Sequence, residues 1–171
     1  MQSDKLTIKT QEAINRAQSV ARERGHNFIE STHLLDALLE QEEGSTVPVL
    51  QKLGLSVPRL REAVGHALDT LPKVSGGSPV QLGQSAAQVL ESAFAEAEQL
   101  KDEYISTEHV LLAMVASERD PAGQTQTGSV HCHCVITEQL RGMQLQEAFV
   151  TAADGKRTAS GTGRLNSSRT T

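Results

Sequence analysis

His131-Cys132-His133-Cys134 brings four potential metal ligands together in this 171-residue chain. In an extended segment, strict alternation throws both histidines to one side and both cysteines to the other. Tetrahedral zinc instead draws spaced pairs of ligands from two elements, and the chain has no second cysteine pair. The run is read as tail composition, and no metal is expected. Gly155-Lys156 suggests a phosphate-binding loop but fails twice. Arg157 intervenes before Thr158, and Val150 stands where the loop's first glycine is required. The chain is therefore not expected to hydrolyse ATP or to be an enzyme, and no cofactor is expected. His33 and His109 are the other candidates for chemistry. Neither has a serine or cysteine beside it in a nucleophile setting. Both precede apolar helical runs, so both are expected to be satisfied, partly buried histidines.

Those two histidines belong to an internal duplication. Phe28-Ile29-Glu30-Ser31-Thr32-His33-Leu34-Leu35 returns as Tyr104-Ile105-Ser106-Thr107-Glu108-His109-Val110-Leu111, displaced by 76 positions. Ala17 and Ala21 fall opposite Ala93 and Ala97 at the same displacement. A repeat of that length predicts two copies of a helical unit packed about a pseudo-two-fold axis.

The periodicity supplies the elements. Residues 10–24 form an amphipathic stripe with Ala13, Ile14, Ala17 and Ala21 inward, stopped by Gly25. Residues 31–41 carry Leu34, Leu35, Leu38 and Leu39 on a buried face. Pro48 suits the first turn of a short helix over residues 47–53. Ser56 is the expected N-cap of a fourth helix bearing Leu60, Val64, Ala67 and Leu68. Residues 71–84 read as a linker, because Leu71-Pro72-Lys73-Val74-Ser75-Gly76-Gly77-Ser78-Pro79 is rich in turn residues. Residues 85–101 then repeat the long helix. Residues 106–117 repeat the second, with Ser106 as expected N-cap and Glu108 in the first turn, where the helix dipole favours a carboxylate. Small residues on matching faces of the two long helices would let the halves approach closely. The repeat breaks after residue 123. From residue 154 to the end, ten of eighteen residues are Gly, Ser or Thr, a composition that predicts disorder.

Composition narrows the function. One tyrosine, three phenylalanines and no tryptophan imply an aliphatic, alanine-rich core and favour helix. Residues 1–119 carry 11 Lys/Arg against 17 Asp/Glu, which argues against nucleic acid as a partner. No apolar run approaches the roughly 20 residues that span a bilayer. No membrane association is expected, and the cytoplasm is the expected location.

Leu6-Thr7, Phe28-Ile29-Glu30, Leu53-Gly54, Leu71-Pro72-Lys73-Val74-Ser75-Gly76 and Ile105-Ser106-Thr107-Glu108-His109 occur in an order and spacing that resemble a known family. It is the N-terminal Clp repeat domain of the Clp/Hsp100 AAA+ chaperones, and the leucine-proline linker is closest to the ClpB-type disaggregases. The resemblance covers about residues 1–123. It implies an all-α fold of two pseudo-symmetric four-helix Clp repeats. Repeat one spans about residues 1–70, and repeat two, over 85–123, is incomplete. It further implies a mobile module on a homohexameric ATPase ring, working with other chaperones in the stress response to engage unfolded or aggregated polypeptides. Thr7, Asp102 and Glu108 match family positions associated with substrate handling. Each also has a plain structural role open to it: helix cap, loop charge and dipole partner respectively. A groove between the repeats, apolar with a polar edge, is the expected site. The alternative is a free-standing adaptor-type domain that docks one folded partner.

The departure from the family is read as a gene fragment whose frame shifts near codon 124. Val135-Ile136-Thr137-Glu138-Gln139 and Gly163-Arg164-Leu165-Asn166 resemble the family's linker. Without the last two helices, Leu90, Val110, Leu111 and Met114 are expected to lose partners and expose apolar surface.

Overall fold

The computed structural model describes residues 3–74 and 79–116. The histidine–cysteine run, the glycine-lysine pair, the domain boundary at residue 123 and the tail expected to be disordered lie outside them. A 3-10 turn at Ser3–Lys5 leads into α1 (Ile8–Glu23), followed by β1 (Phe28–Ile29), α2 (Ser31–Glu40), α3 (Thr46–Lys52) and α4 (Val57–Thr70). Then come β2 (Gln81–Leu82), α5 (Gln84–Gln99) and α6 (Thr107–Ala116). The repeat with four helices and the two described helices of its copy are as the periodicity required.

Helix α2 sits at the centre, because it is apolar on every side that matters. Leu34, Leu35, Leu38 and Leu39 are all at most 1% exposed. The helix touches α1, α3, α4, α5 and α6. Its N-cap is Glu30 rather than a serine. The long helices α1 and α5 each pack against both α2 and α6. Their buried alanines (Ala13, Ala17 and Ala21; Ala86, Ala93 and Ala97) thus admit those shorter helices at close range. Val110, Leu111 and Met114 of α6 are at most 3% exposed, and so is Leu90. This corrects the expectation that their apolar faces stand open. Helix α6 lies against α5, α1, α2 and α3, which accounts for a helix without a polar side.

Both long helices stop in the same way. Gly25 N–H donates to Arg22 O at 3.1 Å and His26 N–H to Ala21 O at 2.8 Å. In the copy, Lys101 N–H donates to Glu98 O at 3.1 Å and Asp102 N–H to Ala97 O at 2.9 Å. This is the left-handed helix stop known as the Schellman motif. Gly25 adopts φ 76° without penalty, whereas Lys101 is held at φ 57°, where a Cβ crowds the backbone. Lys101→Gly is expected to raise stability by about 0.5 kcal/mol, with strain relief partly offset by a more flexible unfolded chain. Gly25→Ala should lower stability by about 1 kcal/mol. Urea denaturation midpoints of the two variants check both.

The two-residue strands give no periodicity and were not legible in the sequence. They form a parallel pair, Phe28 with Gln81 and Ile29 with Leu82. A second parallel bridge joins Leu6 to Ile105. The two bridges are copies of each other. Leu6 enters α1 as Leu82 enters α5, and Ile29 enters α2 as Ile105 enters α6. The hydrogen bonds repeat too: Thr7 N–H donates to Ile105 O at 3.0 Å, and Gly83 N–H to Ile29 O at 2.9 Å. Each repeat thus hands the segment ahead of its long helix to the other repeat.

Candidate functional site

The exchange creates two junctions, each gathering two helix N-termini with their partial positive charge. At the junction of α2 and α5 the chain supplies its own anion. The Glu30 carboxylate accepts the His33 N–H, and His33 Nδ1 accepts the Glu30 N–H at 2.9 Å, a reciprocal capping box. Ser85, in the first turn of α5, donates its hydroxyl to Glu30 Oε2 and accepts Ser31 N–H at 2.9 Å. Gly83 leaves the room that this carboxylate fills. A Cβ there would lie 2.7 Å from Glu30 Oε1 and 2.8 Å from Ile29 O.

At the junction of α1 and α6, serine stands where Glu30 stands in the copy, and Thr7 where Gly83 stands. Thr7 is the N-cap of α1, its Oγ1 accepting Thr10 N–H at 3.3 Å. Buried Thr10 donates its hydroxyl to Ile105 O at 2.9 Å, binding the start of α1 to the entry of α6. Thr107 shares a hydrogen bond with Ser45 Oγ at 3.2 Å and donates to Glu108 Oε2 at 3.4 Å. The structure therefore brings Thr7 and Glu108 to one junction, across the Leu6–Ile105 bridge. Asp102 is turned toward the far side of His109. Its Oδ2 accepts from His109 Nε2 at 3.1 Å, while His109 Nδ1 accepts Ser106 N–H at 3.0 Å. Asp102 is thus more than a solvated loop charge, although its side chain stays 40% exposed.

His33 and His109 are buried, 0% and 4% exposed, and each uses both ring nitrogens structurally. That matches the expectation of satisfied core histidines.

The residues not singled out in the sequence are apolar. Ile8 is 74% exposed and Tyr104 51% exposed, on either side of the Leu6–Ile105 bridge. A signal was present: Ile8 shares its helical face with Gln11, Glu12 and Asn15, all exposed, and so falls outside the alanine stripe. Tyr104 has the same placement as half-exposed Phe28 in the other repeat. The junction is apolar at its mouth and polar at its edge. Such a surface can hold an extended apolar segment and bond its backbone. Among the described residues no helix is long and apolar enough to cross a membrane.

Comparison with known proteins bears on this geometry. The family described as the Clp repeat (R) N-terminal domain matches residues 5–128. The chaperone protein ClpB of Rhodopirellula baltica is 36% identical over 141 residues, which cover 81% of this chain and 16% of the relative. The chain thus spans about a sixth of the length of that relative. The Hsp104 N-terminal domain from Candida albicans superposes with a TM-score of 0.67 at 21% identity, covering 95% of each chain. A ClpV N-domain solved in complex with a VipB peptide superposes with a TM-score of 0.68 at 19% identity, covering 88% of this chain and 86% of that one. At those identities the two structures speak for the fold.

Proposed function

Because the chain belongs to the Clp repeat N-terminal domain family, we propose that it is the substrate-engaging module of a ClpB-like protein disaggregase. It captures unfolded or aggregated polypeptides weakly and reversibly in the cytoplasm. An ATP-driven homohexameric ring, formed by other parts of the parent protein, then acts on them together with partner chaperones. The observation that carries the reading is the junction of α1 and α6. Ile8 and Tyr104 offer apolar contact there, and Thr7 and Glu108 form a polar edge. Asp102 contributes by fixing His109 beside Glu108. The reading of residues 124–171 as a shifted frame belongs to the same proposal and is tested by resequencing codons 118–171.

Binding of a fluorescently labelled, permanently unfolded polypeptide tests the assignment. Thr7→Ala and Glu108→Ala should each weaken binding about fivefold, equivalent to about 1 kcal/mol, while circular dichroism stays that of the parent. Thr7→Ser, which keeps the cap, separates lost capping from lost contact. Parent-like affinity in well-folded Thr7→Ala and Glu108→Ala variants would sink the residue assignment.

A second reading is favoured by the ClpV N-domain bound to a VipB peptide: docking of one specific partner rather than many clients. Competition separates the two. A client-binding module loses its label to many unrelated unfolded chains, an adaptor to a single partner sequence.

A further inference from the structure

The two repeats solve the same local problem with different chemistry. In each, a buried histidine in the first turn of the second helix accepts the backbone N–H of the residue three before it at Nδ1. Nε2–H is then left to donate to the residue just after the long helix stops. In repeat two the acceptor is the carboxylate of Asp102, 3.1 Å from His109. In repeat one it is another imidazole, with His26 Nδ1 2.8 Å from His33 Nε2 and the rings edge to face. Both rings are buried, 4% and 0% exposed. The bonding fixes the tautomers. His33 carries its proton on Nε2, and so does His26, whose Nε2 is buried with no hydrogen-bond partner.

We propose that the His26–His33 contact is an acid-sensitive clasp that opens repeat one's side of the inter-repeat seam while repeat two's side stays shut. Either protonation turns a hydrogen bond into a clash of donors. A proton on His26 Nδ1 meets His33 Nε2–H, and a proton on His33 Nδ1 meets the Glu30 N–H. His26 also sits between two backbone attachments. Gly25 O accepts Val74 N–H at 2.9 Å and Asn27 O accepts Gln81 N–H at 2.8 Å, so displacing its ring loosens both the segment after α4 and strand β2. In repeat two the partner of His109 Nε2 is the Asp102 carboxylate, which only accepts, and Ser106 Oγ lies 3.0 Å from Nδ1.

The charged surroundings do not rescue the first pair. Burial first, then Arg24 at the end of α1 and Lys73 after α4, disfavours charge on His26, while Asp69 of α4, which favours it, is already paired with Arg24 at 2.7 Å. Burial, then the neighbouring His26, then Arg24 push His33 down to about 4, against the partly opposing backbone bond at Glu30. Because the closed state holds the lowered value, the clasp is at full strength above about pH 6.5. It is lost as the pH falls from there toward about 4.

Amide hydrogen exchange on the full chain, corrected for intrinsic rates, tests the proposal between pH 7.5 and 4.5. Val74 and Gln81 should lose protection by about 70-fold, while Thr7 and Ile105 on the second bridge keep theirs. His26→Asp copies the repeat-two solution and should lessen the loss at Val74 and Gln81, because it removes the imidazole whose protonation meets His33 Nε2–H. Unchanged protection in the parent, equal loss at both bridges, or an unaltered profile in His26→Asp would each overturn it. Should that variant not fold, imidazole nitrogen shifts of the parent decide. His33 is expected neutral at pH 6, and a charged His33 there with Val74 and Gln81 still protected refutes the clasp.

Discussion

Gly83→Ala is expected to destabilise the domain by about 3 kcal/mol, although Gly83 adopts an ordinary φ of −74°. The reason is space. The new methyl would lie 2.7 Å from Glu30 Oε1, 2.8 Å from Ile29 O and 3.0 Å from Glu30 Cδ. Two of those atoms belong to a side chain that could rotate away. Doing so would strip the carboxylate from the start of α2 and the hydroxyl of Ser85, a capping loss of about 1 kcal/mol. The third is backbone, and it accepts the Gly83 N–H that closes the strand pair. Overpacking of this kind typically costs about 1–3 kcal/mol before such losses are added. Glu30→Ala combined with Gly83→Ala should restore little, because Ile29 O remains. Urea denaturation of the single and double variants gives the comparison, and a Gly83→Ala midpoint equal to the parent's would contradict the geometry.

Leu35→Ala should be of similar size, about 3–4 kcal/mol. Leu35 is fully buried on the helix that touches the other five described helices, so the surroundings cannot collapse into the vacancy without moving several elements at once. Against a typical net stability of about 5–15 kcal/mol, that would leave a measurable unfolded population in a marginal domain. Phe28→Ala, which removes a larger but half-exposed side chain, is expected to cost about 1 kcal/mol or less. If calorimetric midpoints fall in the reverse order, α2 is not the centre of the core.

The helices were legible in the sequence because an amphipathic period writes the same information many times over. Each expected helix boundary falls within two residues of the observed one. The duplication was legible for the same reason. The seam was not. Its strands are two residues long, so no alternation can announce them, and their partners lie about 50 or 100 residues away along the chain. The site was half legible. Thr7 and Glu108 were marked by the family pattern, yet Thr7 already caps a helix and Asp102 holds a histidine. A residue kept for the fold and a residue kept for binding look the same in the sequence. His26 was passed over because its counterpart is an aspartate: a matched function was carried by unmatched chemistry.

The exchanged strands have a consequence for where this architecture comes from. A contact in which one unit gives a segment and receives the equivalent segment back is isologous, the relation found across the axis of a two-fold homodimer. Here both partners are halves of a single polypeptide. Leu6–Ile105 and Leu82–Ile29 therefore have, within one chain, the reciprocal geometry of a two-fold dimer interface. The copies differ at the seam itself: a glutamate and glycine stand on one side, a serine and threonine on the other. One joint is filled by the chain's own carboxylate, and the other holds only the Thr7 and Ser106 hydroxyls at the matching positions.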